Sequence, residues 1–478
     1  MEILSALVDH WAFTALSWII RIGALIVVPF RRPAAEARSW LLLFFIVPVP
    51  TLIVYNLIGR PEHSKARRER ARQCPDVLRR VLGWEDSTRF SDDHLVPEQH
   101  QALADLGHAI SHMPVMPGNA LELLGDYDAA IDRLVADIDS ARHHVHLEFY
   151  IFAADRTGDK VMSALERAEA RGVTCRVLID AMGSIGSSNK VKRRLVRSGV
   201  EVHRLLPFLH RLRSSRVDLR NHRKIAVIDG LVGYTGSQNI IDRQARPGGP
   251  ANTELLVRVT GPAVRALQAV FVGDWYLEKA IELPSQGLVA DNDSPGRVSA
   301  QLLPSGPDFE RGSIDLFFID AIHNANAEIT ITTPYFIPNG ALIAAICSAR
   351  LRGVNVELIL PRRTDNWLVT MAERSYFEHL LAAGVTIIRY DTGFLHAKHM
   401  RIDNDLAIIG SSNMDLRSFE LNAEVSLVCY CPQIVRELRE IERGYCRDAT
   451  VIDSEHWARR PIYKKVIENC ARMASDLM

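Results

Sequence analysis

Residues 221–230 read NHRKIAVIDG, and residues 396–404 read HAKHMRIDN. Six residues separate the aspartate of each stretch from a second short motif, GSQN at 236–239 and GSSN at 410–413. Both copies therefore fit the pattern HxKxxxxD with a downstream GSxN at the same distance. One HxK match on a strand is commonly a solvated surface, whereas two matches with identical spacing indicate a functional site assembled from two copies.

The segments upstream of the two motifs also repeat. Apolar residues at helical spacing alternate with strand patterns in the same order, and both second helices end in Arg-Gly-Val before a strand. The predicted elements are, for the first copy, helix 128–141, strand 145–152, helix 159–171 and strand 173–179, and for the second copy, helix 314–327, strand 329–337, helix 340–352 and strand 354–360. We predict an α/β fold of two tandem homologous domains, each a mixed sheet flanked by helices and related by a pseudo-twofold axis.

The predicted boundaries follow from the repeat. The first domain is placed at 119–285 and the second at 314–478, with a linker over 286–313. The linker carries the turn-forming strings SPG at 294–296 and PSGP at 304–307, which favour an irregular connection.

Strand geometry gives the motif residues a common direction. Residues two apart in a strand share a face, so His222 projects with Lys224, and His396 with Lys398. Metal binding is an alternative for paired histidines, but neither motif has H-x₃-H or HExxH spacing, and a lysine stands where a second ligand would be. Because an ammonium repels a cation and attracts an oxyanion, the motifs favour a phosphate site without a metal.

The hairpin after each motif predicts further members of the site. If Asp229 and Asp403 lie in two-residue turns, paired residues in the two hairpins sum to 459 and 807. A serine and an asparagine then share a face with each histidine: Ser237 and Asn239 with His222, and Ser411 and Asn413 with His396. Imidazole, ammonium, hydroxyl and amide groups together suit the oxygens of one phosphate.

Two apolar stretches, 11–30 and 40–58, are each long enough to span a bilayer. A cleavable signal peptide fits poorly, because no basic region precedes the first stretch and a second stretch follows at once. We predict a membrane hairpin of two transmembrane helices over 1–60 and a basic juxtamembrane connector over 61–118. The flank after the hairpin has six basic residues against three in its loop, which places the remaining chain in the cytoplasm. Arg21, near the centre of the first stretch, leaves open a helix that lies in the interface or re-enters.

The net charge of the whole chain is zero, but one segment is strongly basic. The chain has 57 Lys plus Arg and 57 Asp plus Glu, so it is not a globally basic nucleic-acid binder, and its seven cysteines form no CxxC pair typical of a zinc or disulfide scaffold. Residues 190–224, however, contain 12 basic and two acidic residues, a net charge of plus ten. We predict that this basic segment contacts anionic membrane lipid. A solvated helix and loop is one alternative, and nucleic acid, which the membrane hairpin disfavours, is another.

The paired motifs resemble those of the phospholipase D superfamily, whose two HKD motifs meet at a domain interface to form one active site. The apolar stretches, the length and the strings YTGSQN at 234–239, TPYF at 333–336 and LPSGP at 303–307 are similar to bacterial cardiolipin synthases of that superfamily. The resemblance covers nearly the whole chain. It implies a multi-pass protein of the bacterial cell (inner) membrane, without metal or cofactor, that transfers a phosphatidyl group from one phosphatidylglycerol to another and releases glycerol.

Other functions stay open at this point. A phospholipase D-type phosphodiesterase differs only in admitting water instead of a lipid alcohol, and a membrane-anchored nuclease is a more distant alternative. A non-catalytic membrane scaffold would be expected to have lost a motif histidine or lysine, and both copies are intact. The sequence does not decide between phosphatidylglycerol and phosphatidylethanolamine as donor, the acyl-chain preference, or the oligomeric state, a homo-oligomer included.

The resemblance also assigns roles. His222 is expected to be the nucleophile that forms a phosphohistidine, and His396 the general acid and base, although the sequence itself is symmetrical about this choice. The groups expected to bind or neutralise the phosphate oxygens are Lys224, Lys398, Ser237, Ser411, Asn239 and Asn413.

A histidine nucleophile needs an acceptor on its second ring nitrogen, which fixes the tautomer. Glu254 and Glu424, each at the start of a strand-like run after a GSxN motif, are the predicted orienting carboxylates; the alternative is a solvated glutamate at a strand end. The motif aspartates Asp229 and Asp403 are expected to be turn and scaffold groups more than proton carriers.

Overall fold

The computed structural model describes residues 2–32, 34–59, 63–83, 95–207, 216–245, 249–290, 294–309, 314–447 and 449–475. The chain divides into two compact units. The first comprises Met1–Arg68 with Pro207–Leu219, and the second comprises Glu69–Leu206 with Arg220–Met478. Both HxK motifs lie in the second unit.

The first unit contains the apolar N-terminal helices. They are α1 (Glu2–Arg31), α2 (Ala34–Ile46), α3 (Pro48–Val54) and a π-helical turn (Tyr55–Gly59). Buried Ala24 and Val28 of α1 belong to one apolar cluster with Trp40 and Phe44 of α2. Within the described ranges, one helical segment is long and apolar enough to cross a membrane, Trp11–Arg31, with a mean hydropathy of 1.9.

The second apolar stretch is not the single helix that the sequence predicts over 40–58. It breaks at Val47, since Pro48 and Pro50 have no backbone N–H to donate to the preceding turn. Two side chains supply donors near the end of α2. Thr51 Oγ1 donates to Leu43 O at 3.0 Å, and Arg21 Nη2 donates to Phe45 O at 3.1 Å. The break therefore provides acceptors for the guanidinium that lies inside the first apolar stretch.

The other helices flank a sheet or connect its strands. They are α4 (Lys65–Leu82), α5 (Gln101–Ser111), α6 (Tyr127–Ser140), α7 (Arg156–Ala170), α8 (Ser188–Arg197), α9 (Ala263–Lys279), α10 (Ile314–Asn324), α11 (Gly340–Leu351), α12 (Trp367–Ala382), α13 (Leu416–Glu420), α14 (Pro432–Cys446), α15 (Ser454–Ala458) and α16 (Ile462–Ser475), with a 3-10 turn at Glu98–His100. The repeated helices start at side-chain caps: Asp126 accepts from Ala129 N before α6, and Asn339 accepts from Leu342 N before α11.

The strands occur in the same order in both halves of the second unit. Those of the first half are β1 (Val115–Leu124), β2 (His144–Phe149), β3 (Thr174–Asp180), β4 (Glu201–Leu205), β5 (Arg220–Asn221), β6 (Lys224–Ile228), β7 (Val232–Gly236), β8 (Asn252–Thr253) and β9 (Leu256–Thr260). Those of the second half are β10 (Val298–Ser305), β11 (Glu328–Thr332), β12 (Phe336–Ile337), β13 (Asn355–Pro361), β14 (Thr386–Tyr390), β15 (Phe394–Leu395), β16 (His399–Ile402), β17 (Leu406–Gly410), β18 (Met414–Asp415), β19 (Asn422–Tyr430) and β20 (Ala449–Val451).

One mixed sheet runs through both halves. Its order is β20-β14-β13-β11-β16-β17-β19-β10-β1-β9-β7-β6-β2-β3-β4. Each half contributes three parallel strands followed by antiparallel ones, and the halves join where β1 pairs antiparallel with β10. On one face α9 and α14 pack in a core shared by both halves, which includes Phe271 and Leu438. The predicted α/β class and the repeated order of elements are confirmed.

Two predictions about connections are wrong. The segment 286–313, predicted to be a linker, contains the central strand β10, whose eight residues are all buried. The hairpins after the motifs are offset by one residue, because Ile225 pairs with Thr235 and His399 with Ile409, which gives sums of 460 and 808. A third residue lies in each turn, and the aspartates that begin them adopt left-handed backbone angles, with φ of 53° at Asp229 and 50° at Asp403.

Candidate active site

The two motif histidines lie where the halves exchange short strands. Strand β5, just before His222, pairs in parallel with the start of β19 in the second half, and His222 N donates to Ala423 O at 2.8 Å. Strand β15, just before His396, pairs in the same way with β8 in the first half, and His396 N donates to Thr253 O at 2.8 Å. Each histidine is therefore held by backbone of the opposite half.

The predicted glutamates occupy the positions that follow these exchanged strands. His222 Nδ1 lies 2.9 Å from both carboxylate oxygens of Glu424, and His396 Nδ1 lies 2.7 Å from Glu254 Oε1. A carboxylate only accepts, so the Nδ1–H of each ring donates and each Nε2 keeps its lone pair. The glutamates are buried, and each pair joins the two halves. The sequence identified the acids but not this crossed arrangement.

Both motif lysines are buried, and each bonds to the backbone of its own motif histidine. Lys224 Nζ donates to His222 O, and Lys398 Nζ donates to His396 O, each at 2.6 Å. The ring of Tyr150 lies 4.8 Å from the His222 ring and 5.5 Å from Lys224 Nζ, which brings the imidazole and the ammonium of the first motif to one aromatic surface.

Ser411 bonds to the side chain of Glu424, and both serines bond to the backbone that follows a glutamate. Within the described ranges neither serine bonds to a motif histidine, although the predicted two-residue turns would have placed them on one face. Ser411 Oγ donates to Glu424 Oε2 at 2.5 Å, and Val425 N donates to Ser411 Oγ at 3.0 Å. In the first half, Leu255 N donates to Ser237 Oγ at 2.9 Å. The serines thus fix the backbone directly after each glutamate.

The asparagines of the GSxN motifs are buried but take different partners. Asn239 Oδ1 accepts from Ile151 N at 3.0 Å, directly after Tyr150. Asn413 N donates to Ser418 Oγ at 3.2 Å, in the short helix α13. No hydrogen bond joins either asparagine to a motif histidine in the described part of the chain.

The motif aspartates bind backbone at the far ends of β6 and β16. Asp229 accepts from the N–H groups of Arg142, His143 and His144, each at 2.8 Å. Asp403 accepts from the three successive N–H groups of Asn326, Ala327 and Glu328 at 2.7 to 3.0 Å. Each aspartate lies five positions along the chain from its motif lysine, a distance of roughly 16 Å in an extended strand. This geometry fits the scaffold role expected of them.

Burial shifts the protonation of the motif groups. It lowers the pKa of His222 to about 4 against the raising effect of Glu424, and it also lowers the pKa of His396. Burial lowers the pKa of Lys224 to about 7 and that of Lys398 to about 8. Burial alone would raise the pKa of Glu424, but His222 and Lys224 outweigh it and hold that pKa below its usual value. At neutral pH the site thus presents unprotonated Nε2 atoms beside anionic glutamates.

A buried network that sequence reasoning missed surrounds His222 alone. Arg223 donates to the carboxylate of Asp274, to Glu424 O and to Ser305 O, the last two at 3.0 Å. Asn221 Nδ2 donates to Glu148 Oε1 at 2.6 Å and to Asp274 Oδ2 at 3.0 Å. Burial and the neighbouring Asp274 raise the pKa of Glu148 well above its usual value, which favours the protonated form of this carboxyl. The sequence feature that could have indicated this network is the pair of polar residues on either side of His222, Asn221 and Arg223.

The arrangement suits an anionic phosphorus centre. Two nucleophilic imidazole nitrogens and two ammonium groups converge, and in the described ranges no group of three or more His, Cys, Asp or Glu is placed to hold a metal ion. Covalent transfer through one imidazole and proton transfer through the other require only these side chains.

Both halves of the second unit match known proteins. Residues 134–275 and 318–443 match a family model described as cardiolipin synthase, PLD-like domain, so each half supplies one matched segment. The solved structure of phosphatidylserine synthase from Haemophilus influenzae Rd KW20 superposes with a TM-score of 0.60 at 14% identity, covering 79% of this chain and 98% of that one, which shows the fold. The fold and the paired motifs define a phospholipase D-like protein.

Whole-chain relatives narrow the class. Cardiolipin synthase A of Cronobacter sakazakii is 32% identical over 98% of this chain and 99% of its own. Cardiolipin synthase A of Erwinia tasmaniensis has the same identity and coverage. The chain belongs to the cardiolipin synthase family, as the motifs and the shorter strings indicated.

Proposed function

We propose that this protein is a cardiolipin synthase that transfers a phosphatidyl group from one phosphatidylglycerol to the hydroxyl of another. The observation that carries the proposal is the crossed pair of His–Glu contacts beside two buried lysines, in a chain whose relatives over its full length are named cardiolipin synthase A. The products are cardiolipin and glycerol.

In the first step, His222 Nε2 attacks the phosphorus, a P–N bond forms, and the P–O bond to the leaving glycerol breaks. His396 donates its proton to that glycerol oxygen. The bound phosphodiester anion raises the proton affinity of this imidazole, as does Glu254, which offsets the lowering by burial. Glu424 stabilises the positive charge that develops on the His222 ring.

In the second step, His396 Nε2 accepts the proton of the incoming phosphatidylglycerol hydroxyl. The alcohol oxygen attacks phosphorus, the P–N bond breaks, and His222 returns to its neutral form. Lys224 and Lys398 neutralise the non-bridging oxygens, with Asn239 and Asn413 as candidate further donors. The serines act through the glutamates they hold, and the aspartates through the strand ends.

The direct test is lipid analysis of the full-length enzyme in phosphatidylglycerol vesicles. We expect cardiolipin and glycerol in equal amounts, and neither from His222→Ala or His396→Ala. His203→Ala, which changes a histidine outside the site in the first half, is the matched control and should keep activity. Phosphatidic acid without cardiolipin would instead identify a hydrolase. Replacing half of the donor with phosphatidylethanolamine shows whether that lipid also enters.

The proposed organisation has two catalytic repeats related by a pseudo-twofold axis, after an N-terminal membrane segment. The first repeat covers 119–285, and the second is extended to include β10 before residue 314. Both apolar stretches of 1–60 are proposed to lie in the membrane as a hairpin, with the catalytic repeats in the cytoplasm. A C-terminal fluorescent-protein fusion should fluoresce and an alkaline-phosphatase fusion should be inactive; the opposite pair of results would reverse the orientation.

The basic segment 190–224 is proposed to contact anionic lipid. Within it, α8 buries Val191 and Leu195 and leaves Lys190, Arg193 and Arg197 exposed, while Arg194 is paired with Glu166. The interrupting residues Phe208 and Leu209 and the arginines Arg211 and Arg213 lie outside the described residues. Binding to phosphatidylglycerol vesicles should weaken with salt when these exposed cations act at the surface.

A further inference from the structure

The C-terminal helix α16 is amphipathic, but it turns its polar side to the protein. Glu468 is 2% exposed and accepts from Arg460 at 2.9 Å and pairs with Arg374 of α12 at 3.0 Å. Lys465 donates to Glu378 of α12 at 2.9 Å. Ala471 packs in a small cluster with Ala372, which completes the contact with α12.

The opposite side of α16 is apolar and exposed. We name the exposed apolar residues of α16 the C-terminal apolar face: Ile462, Tyr463, Val466, Ile467 and Met473, which are 44% to 74% exposed. At 100° per residue these side chains fall within an arc of about 140°. That arc is centred away from Glu468 and Ala471, so the face points away from the body of the protein.

The neighbouring helix extends this surface. The contacts Lys465–Glu378, Glu468–Arg374 and Ala471–Ala372 show that α16 runs antiparallel to α12. Its last turn, with Met473, therefore lies beside the first turn of α12, where Trp367 is 67% exposed. Tryptophan and tyrosine at the edge of an apolar face are typical of residues that sit at the headgroup level of a bilayer.

The charge around the C-terminal apolar face and the size of this face favour a lipid bilayer as its binding partner. Residues 459–473 contain five basic residues and one acid, a net charge of plus four, and the one acid is buried. A face about 20 Å long and 10 Å wide is small for a second copy of the chain, since a stable dimer buries about 800 Å² per partner. An apolar face bordered by cations fits the surface of an anionic bilayer.

We propose that α16 and Trp367 form a membrane-docking surface, on which the C-terminal apolar face inserts among the headgroups and upper acyl chains of anionic lipid. This surface belongs to the second unit, which also contains both HxK motifs. It would hold the phosphatidyltransfer site against the bilayer that contains its substrate.

Site-specific photo-crosslinking tests the occupant directly. The photoreactive residue p-benzoylphenylalanine is placed at Val466, on the face, or at Lys464, an exposed position outside it, in the full-length protein in phosphatidylglycerol vesicles. We expect at least fivefold more crosslinked lipid from position 466 than from 464, and a marked decrease in phosphatidylcholine vesicles. Equal lipid yield at the two positions, or crosslinks from 466 mainly to a second copy of the chain, would overturn the proposal.

A charge substitution adds a functional readout. The double variant Ile462→Glu, Val466→Glu changes only exposed side chains, so folding is expected to be retained. We expect the apparent KM for vesicle phosphatidylglycerol to rise about fivefold, with turnover of a short-chain soluble analogue unchanged. No change in KM would contradict the proposal. The crosslinking measurement does not depend on catalysis, so its outcome remains interpretable if the proposed reaction is wrong.

Discussion

The two motif histidines have the same nearest partners but different flanking residues. Each ring donates from Nδ1 to a buried glutamate of the opposite half, and each carbonyl oxygen accepts from its own motif lysine. His222, however, stands between Asn221 and Arg223, both fixed to a buried carboxyl pair, whereas His396 stands between the apolar Leu395 and Ala397. The His, Lys and Glu contacts and the backbone bond of each histidine are duplicated, but the contacts of the two residues on either side of each histidine are not.

The residues on either side of the motif histidine can therefore differ between the two halves. In the proposed reaction each ring must keep Nδ1–H toward a carboxylate and carry positive charge at one stage, so a crossed glutamate is expected for each histidine. Arg223 also donates to the carbonyl of Glu424, so one guanidinium ties the His222 backbone to the residue that orients its ring. His396 has no such ionic anchor among the described residues, and apolar packing of its neighbours holds it instead.

Removing the charge of either glutamate should have the largest effect. Glu424→Gln and Glu254→Gln each replace the anionic acceptor that stabilises a charged imidazole with a neutral amide, and we expect kcat to fall by about 10² to 10⁴. Steady-state cardiolipin formation measures this, and a melting curve close to that of the parent checks the fold. Activity within threefold of the parent in either variant would mean that its histidine needs no orienting carboxylate.

Changing Arg223 should have the next largest effect, and only on the first motif. Arg223→Lys keeps the charge but loses the planar fork that binds three acceptors, and we expect kcat to fall roughly 10- to 100-fold with little change in KM. Arg258→Lys is the matched control, because Arg258 pairs with Asp137 at 2.7 Å in the same half. Equal losses of kcat in the two variants would show that Arg223 is only a stability element.

The pH dependence should follow the lysines together with the His396 proton, because burial lowers the pKa of all three groups. Burial lowers the pKa values of the lysines to about 7 for Lys224 and about 8 for Lys398, so both lysines are charged at lower pH and lose their protons as pH rises through that range. Because kcat/KM reports the free enzyme, we expect it to fall several-fold from pH 7 to pH 9. No fall is expected from protonation of His222 until near pH 4. A kcat/KM that rises steadily to pH 9 would contradict this assignment.

The motif aspartates should behave alike, and their effect on catalysis should be the smallest. Asp229→Asn and Asp403→Asn retain a residue that tolerates the left-handed backbone but weaken the bonds from three N–H groups. We expect each to lower stability by about 1–3 kcal/mol, while kcat of the folded enzyme changes less than threefold. Thermal melting and kcat together decide this; a large loss of kcat at unchanged stability would place an aspartate in the chemistry.

Much of the fold could be predicted, because local patterns are strong in the repeats. Helical spacing, strand patterns and the Arg-Gly-Val corners placed the main elements within a few residues, except that the strand predicted over 329–337 is divided into β11 and β12. Pro48 and Pro50 indicate the break at Val47, but the prediction of one helix over 40–58 relied on the length and hydropathy of the stretch. Strand β10 was hidden, since its sequence ends in a segment rich in turn-forming residues although all of its side chains are buried.

The sequence predicts which residues form the site, but not which of them pair with each other. The histidines, lysines and glutamates followed from their spacing, but which glutamate meets which histidine depends on strand exchange between segments about 200 and 140 positions apart. No local pattern encodes that. The serine placement failed because one additional turn residue shifts the register of the hairpin, and Arg223 was overlooked because its partners come from distant elements.

The most direct test of the crossed site uses phosphatidyl-p-nitrophenol, whose leaving group needs no proton. With this substrate, formation of the phosphohistidine requires His222 and the Glu424 that orients it, while only the second step requires His396 and Glu254. We therefore expect a stoichiometric burst of nitrophenolate, and a phosphatidyl group on the peptide that contains His222, in His396→Ala and Glu254→Gln. No burst is expected in His222→Ala and Glu424→Gln. A burst lost in Glu254→Gln and retained in Glu424→Gln would contradict the crossed pairing.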